Sequence, residues 1–187
     1  DHDDGRTRLS TGSAEVGHEI SEKVSAQPGT RAACEMGGKN AVVVTANADL
    51  DIAVPAAVLS SYKTTGQRCV SSERLIVHTD VYDAFKERFV EISRSVAVGD
   101  PLDEETFMGP LIEAEHREKV TRYNELAREE GVEVLVDRTD LDDAAIPDGH
   151  AEGHWVGPFV YEADPDADLR CTSEEVFGPH VALMEYE

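Results

Sequence analysis

Cys69 stands in TTGQRCVSSERLIV, residues 64–77, between a polar, glycine-bearing approach and a short apolar run. A cysteine works as a nucleophile when nearby donors or a helix N-terminus stabilise its thiolate and the sulfur is partly exposed. Thr64, Thr65, Gly66 and Gln67 could supply that setting. The same thiol beside an apolar strand also suits an inert core position. In CEMGGKN, Glu35 precedes Gly37 and Gly38. A carboxylate at a strand end beside paired glycines can reach a pocket without steric cost and act as a general base, or it can be a surface acid next to a turn. TSEEVFGP sets Glu174 and Glu175 before an aromatic residue and a Gly-Pro turn, which by itself specifies no chemistry.

Two other stretches imitate metal loops but lack residues such loops need. DPDADLRCTSEE places acids at positions 1, 3, 5 and 12 counted from Asp164, but Leu169 occupies the position where a calcium loop needs glycine for its sharp turn. HAEGHW spaces His150 and His154 as a helical metal pair, yet Gly149, Gly153 and Gly157 oppose a helix and no glutamate fills the required place. No metal site is expected. Neither a GxGxxG nor a P-loop occurs.

The elements that would position Cys69 and the carboxylates alternate between strand and helix. In TGSAEVGHEISEKVSAQPG, Val16, Ile20 and Val24 recur at helical spacing after Gly12-Ser13, and Pro28-Gly29 ends the run. Ala41 to Val44 form a continuous apolar run, as a strand covered on both faces does. A helix is expected to open at Asn47-Ala48-Asp49 and to continue through Ile52, Val54, Ala57, Val58 and Tyr62. ERLIVH is a β-branched strand, and in DVYDAFKERFVEISRSV the residues Val81, Phe85, Phe89 and Ile92 share one helical face, stopped by Gly99-Asp100-Pro101. EAEHREKVTRYNELAREEG is a further helix with Gly131 as its C-cap, followed by the strand VEVLV. Residues 137–154, rich in Asp, Gly and His, suit a solvated loop or hairpin, and FVYEA and VALMEY read as strands. Such alternation predicts an α/β fold with at least partly parallel sheets.

Composition narrows the function classes. The 187 residues carry 39 Asp plus Glu against 17 Lys plus Arg, a formal net charge of -22. Such a surface repels phosphates and argues against nucleic-acid or membrane-surface partners. Only five of the 17 cations are Lys and the acids are dispersed along the chain, a pattern that suits hydration in concentrated salt. No apolar stretch approaches the roughly 18–20 residues of a membrane helix, so a soluble protein is expected. Three cysteines, Cys34, Cys69 and Cys171, without CxxC spacing fit a reducing cytoplasm better than a disulfide framework.

In order, Glu35-Met36-Gly37-Gly38-Lys39-Asn40, Gly66-Gln67-Arg68-Cys69 and Glu174-Glu175-Val176-Phe177-Gly178-Pro179 resemble the aldehyde dehydrogenase superfamily. The resemblance extends over essentially the whole chain through TGSAEVG, ADLD, DVYDAF, VGDP and MGPLI, and the 34 residues from Glu35 to Cys69 suit the family's base and nucleophile. It implies the end of a Rossmann-type NAD- or NADP-binding domain over 1–37, followed by most of an α/β catalytic domain over 38–187. It also implies an internal piece of a longer polypeptide, inactive alone, that forms a homodimer or homotetramer when complete.

The resemblance implies roles for individual residues. Cys69 would attack the aldehyde carbon, with its own backbone N–H among the oxyanion donors, and Glu35 would activate the water that hydrolyses the resulting thioester. Gly12 and Ser13 would approach the cofactor pyrophosphate at a helix N-terminus. Glu175 would bind the nicotinamide ribose and Phe177 would lie beside the nicotinamide. Arg68 and Val70 would line the substrate tunnel, where Arg68 could favour an acidic semialdehyde by charge pairing. Semialdehyde branches also share the look of EMGGKNAVVV with GQRC, among them those for 2-oxoglutarate semialdehyde and glutamate semialdehyde. Ser10-Thr11 stands where the family usually has Phe-Thr, and Cys34 replaces a usual Leu. A catalytically silent homologue and a CoA-acylating dehydrogenase are the alternatives. Retention of Glu35, Cys69 and Glu175 together opposes the first, and Glu35 opposes the second.

Overall fold

A computed structural model describes residues 6–141, 146 and 148–187. The chain divides into two compact units, one ending at Gly38 and the other spanning Lys39–Glu187.

In the first unit, strands β1 (Thr7–Gly12) and β2 (Arg31–Met36) pair in parallel, with helix α1 (Ala14–Ser25) between them in sequence. The sequence reading named no strand over β1. TRLSTG is mostly polar and exposed, so its extended conformation comes from the ladder with β2 and not from an apolar alternation. Ser13 caps α1 by accepting from Val16 N at 3.3 Å. Gly17 lets the helix lie close on β2, because a Cβ there would run into the Met36 side chain.

The second unit is a five-stranded sheet in the order β3-β4-β7-β6-β5: Asn40–Val44, Ser72–His78, His180–Tyr186, Phe159–Glu162 and Glu133–Asp137. The first four are parallel and β5 runs antiparallel to β6. Alternate residues feed two cores, as period-2 side chains must. Leu75, Val77, Val160, Val181 and Leu183 join α2 (Leu50–Tyr62) and α3 (Thr79–Ser95) through Val54, Tyr62, Phe85 and Phe89. Phe159, Tyr161, Ala182 and Met184 join α4 (Ala114–Glu129) and the short α5 (Arg170–Ser173) through Ala127 and Cys171. Helices therefore cover both sheet faces, the α/β architecture the alternation predicts. Phe85 and Phe89 are fully buried, each contributing roughly 1.5–3 kcal/mol by leaving water.

Helix α2 begins where expected, with Asp49 accepting from Asp51 N at 2.9 Å. Gly131 adopts φ 80° directly after α4, the left-handed stop that glycine permits. Helix α3 ends at Ser95, four residues before Gly99. Within the predicted loop 137–154, residues 142–145 and 147 lie outside the described residues, and Leu111 N donates to His154 O at 2.9 Å near its end. No described helix is long and apolar enough to cross a membrane, and no described group of His, Cys, Asp or Glu could hold a metal ion.

Candidate active site

The loop bearing Cys69 starts where α2 stops. Thr64 (φ 58°), Thr65 (φ 57°) and Gly66 (φ 71°) all adopt the left-handed conformation, which costs a β-branched residue on the order of 1–2 kcal/mol. Tertiary hydrogen bonds hold this turn. Thr65 Oγ1 donates to Gly109 O at 2.9 Å, and Gln67 Oε1 accepts from Ile112 N at 3.0 Å. The MGPLI segment thus buttresses the GQRC segment.

Arg68 Nη2 donates to Leu59 O at 3.0 Å and Ser60 O at 3.3 Å. Its guanidinium therefore adds donors to carbonyls in the last turn of α2, where Leu59 O also accepts from the capping Lys63 N. Cys69 and Val70 occupy the tip of the next turn, closed by Ser71 N donating to Arg68 O at 2.9 Å, and both are exposed. Asn40 Nδ2 donates to Cys69 O at 2.7 Å and to Ser71 O at 3.1 Å, pinning the backbone on either side of Val70. The thiol is thus presented on a fixed turn at the head of β4.

A second loop, 174–179, is built against this one. Glu73 and Lys39 form an ion pair at 2.6 Å with side chains 3% and 5% exposed. Glu73 Oε1 accepts from Phe177 N at 2.7 Å, and Oε2 accepts from Val176 N at 3.0 Å. Phe177 itself has φ 64°, and His116 Nε2 donates to its carbonyl at 3.0 Å. Gly66 and Gly178 pack so closely that a Cβ on Gly66 would lie 2.5 Å from Gly178 O. Glu174 is held by Arg170 Nε at 2.8 Å and by Tyr123 Oη, contacts that keep its carboxyl down at about 2. Glu174 is therefore structural. Gly66 and Glu73, on either side of the Cys69 turn, are brought against the loop bearing Glu175 and Phe177 in this unit.

In the first unit the β1–β2 register aligns Thr11 with Glu35 and Gly12 with Met36. Gly12 and Glu35 thus sit at the carboxyl end of a parallel pair, the end at which α/β sheets bind ligands. A Cβ added to Gly12 would have no atom within 4 Å, so approach to its backbone is open. Glu35 and Ser13 are exposed.

The three cysteines differ in setting. Cys69 is exposed. Cys34 is half-buried with its Sγ 3.6 Å from Ser21 Oγ. Cys171 is buried, and burial pushes its thiol up to about 12.

The family model for the aldehyde dehydrogenase family matches residues 1–187. The chain belongs to the aldehyde dehydrogenase family. It is 37% identical over 180 residues to 1-pyrroline-5-carboxylate dehydrogenase of Bacillus subtilis, covering 94% of this chain and 33% of that protein. It is 30% identical over 187 residues to alpha-ketoglutaric semialdehyde dehydrogenase of the same organism, covering 100% and 37%. The crystal structure of apo betaine aldehyde dehydrogenase from Staphylococcus aureus, a G234S mutant, superposes with a TM-score of 0.88 at 32% identity, covering 100% of this chain and 36% of that one. The chain thus spans about a third of the length of the relatives it matches.

Within this aldehyde dehydrogenase chain, several residues that shape the site escaped the sequence reading. Asn40 and Lys39 lay inside a quoted motif but carried no assigned role. Glu73 had a usable signal: a lone acid at the head of a buried strand needs a buried partner. His116 and the left-handed Thr64-Thr65 pair had none, since their roles depend on segments far away in sequence.

Proposed function

We propose that the protein to which this chain belongs oxidises an aldehyde to a carboxylic acid with NAD or NADP. Cys69 is its nucleophile, Glu35 its hydrolytic base, and Gly12, Ser13, Glu175 and Phe177 its cofactor contacts. The observation that carries this reading is the fixed, exposed presentation of Cys69 beside the loop bearing Glu175 and Phe177. Family membership supplies the reaction class.

The residues present suit a dinucleotide. The open backbone at Gly12 and the N-terminus of α1 suit a pyrophosphate, and Glu175 offers acceptor oxygens to hydroxyls. When bound, the nicotinamide supplies a hydride acceptor. Cys69 Sγ as thiolate forms the C–S bond to the aldehyde carbon, and the carbonyl oxygen becomes an oxyanion stabilised by backbone donors. Two-electron oxidation leaves that carbon as a thioester on Sγ. Glu35 then takes a proton from water, whose oxygen attacks the thioester, and the C–S bond breaks to return the thiolate and release the acid.

The names of the two Bacillus subtilis relatives support a semialdehyde with an acidic end as substrate. Arg68 supports it less, because its Nη2 is directed to the carbonyls of α2. Val70, exposed next to Cys69, suits the tunnel wall. The open edge of β3, with Val43 exposed, supports assembly into a homodimer or homotetramer. Three free cysteines support a reducing cytoplasm.

Rapid-mixing kinetics on the full-length enzyme provide the test. Cys69→Ala should abolish both the first-turnover burst of NADH and steady-state oxidation. Glu35→Gln should keep the burst but slow the steady state by about 10²-fold to 10⁴-fold. Unchanged turnover in Cys69→Ala would sink the proposal. Glutamate semialdehyde should be preferred to betaine aldehyde in kcat/KM, and the reverse order would remove the acidic-substrate reading.

A further inference from the structure

The buried Lys39–Glu73 pair lies behind both loops of the site and has no role in the reaction as derived above. Glu73 is the fourth residue after Cys69 and the second of β4, so its backbone moves with the strand that fixes the nucleophile turn. Its side chain is only 3% exposed, and every described contact is a donor: Lys39 Nζ at 2.6 Å, Val176 N at 3.0 and 3.2 Å, and Phe177 N at 2.7 Å. The lysine is equally constrained. Arg74 Nη2 donates to the Lys39 carbonyl, and Asn40, the next residue, holds the Cys69 carbonyl.

We infer that Glu73, held by Lys39, is a positioning residue that sets the cofactor loop 174–179 in register with the Cys69 turn. The inference rests on the reading of Glu175 and Phe177 as cofactor contacts. The physical ground is that a loop without regular secondary structure takes its position from tertiary partners. Here two successive main-chain N–H groups share one anion, one of them on a non-glycine residue in the left-handed conformation. Burial lowers the Lys39 pKa, and the Glu73 charge beside it opposes that shift. The gap between Gly66 and Gly178 leaves no slack for the two loops to drift closer. Glu73 thus transmits the position of the nucleophile strand to Glu175 and Phe177 through their shared backbone.

Glu73→Gln keeps the side-chain shape but points an N–H₂ group at N–H donors and leaves Lys39 unpaired. The double variant Lys39→Met/Glu73→Gln removes both charges, so it retains no buried unpaired ion if the single variant folds poorly. In the full-length enzyme, the NADH dissociation constant, followed by the fluorescence of bound NADH, should rise at least about tenfold in both variants. KM for the cofactor should rise in parallel, while kcat at saturating cofactor stays within about threefold. Amide exchange at Val176 and Phe177 should be slow in the wild type and faster in the variants. A merely structural pair would instead lower the melting temperature and the active fraction with KM unchanged. That result, or wild-type exchange at these amides as fast as in an unstructured loop, overturns the clamp. If the wild type binds NADH and Glu73→Gln binds it equally, the clamp alone fails; if the wild type does not bind NADH, the cofactor reading fails and takes the clamp with it.

Discussion

Replacing Gly66 by alanine imposes two separate penalties through one methyl group. The first is conformational: φ is 71°, where a residue with a Cβ loses on the order of 1–2 kcal/mol. The second is steric, because the added Cβ would stand 2.5 Å from Gly178 O, 2.6 Å from Gly178 C and 3.0 Å from Ser61 O. All three are backbone atoms, so no flexible side chain can yield, and overpacking of this kind costs roughly 1–3 kcal/mol. The sum, about 2–5 kcal/mol, is a large part of the 5–15 kcal/mol that holds a typical domain. Two other glycines separate the penalties. Gly131 has φ 80° and open space, so Gly131→Ala should lose only the conformational part. Gly12 has open space and no positive φ, so Gly12→Ala should stay within about 0.5 kcal/mol. Urea denaturation of the three variants, followed by circular dichroism, measures the order. If Gly66→Ala loses no more than Gly131→Ala, the close approach of Gly66 to Gly178 is wrong.

Burial, with the positive Lys39 as a lesser cause, holds the His180 pKa well below its ordinary value, and its Nδ1 donates to Asn124 Oδ1 at 2.7 Å. The unfolded chain protonates this ring near ~6.5 and the folded chain does not, so stability should fall as pH drops below that, by up to about 1.4 kcal/mol per unit. His180→Gln should flatten that slope between pH 6.5 and 5.5 in denaturation curves; an identical slope would show that His180 is not its source. Iodoacetamide labelling of the native protein should modify Cys69 first and Cys171 slower by on the order of 10²-fold or more, with the difference lost in urea. Equal native rates would contradict the buried placement of Cys171. The net charge of -22 should make the melting temperature rise between 0.1 and 1 M KCl, as the screening length falls from ~10 to ~3 Å. A flat or falling melting temperature would argue against salt adaptation.

Much of the fold could be read from local periodicity. Phe85 and Phe89 lie four apart and share the buried face of α3, and the run Ala41–Val44 is the strand β3, but at the sheet edge with Ala41 and Val43 exposed, not covered on both faces as its continuous apolar character suggested. β1 could not be read this way, since its six residues are mostly polar and are extended only because β2 lies beside them. The four-residue α5 is too short to show a period. The helix spanning EAEHREKVTRYNELARE was legible, whereas the contact of its His116 with Phe177 O was not, because the two are 61 positions apart.

The order and identity of Glu35, Cys69 and Glu175 are properties of the chain alone, and it is their combination, through the resemblance to the family, that suggests roles for them, since no one of the three motifs specifies chemistry by itself. The setting of Cys69 was decided only by the folded structure. Three consecutive left-handed residues turn the chain toward it, Asn40 fixes its carbonyl, and Arg68 is drawn to the end of α2. Glu73 shows the division most clearly. In sequence it is one acid among 39 Asp and Glu; in the fold, burial beside Lys39 leaves its carboxylate no solvent to turn to, so it takes the backbone of the neighbouring loop. Local sequence sets which groups are available, and desolvation on folding decides which of them must find each other.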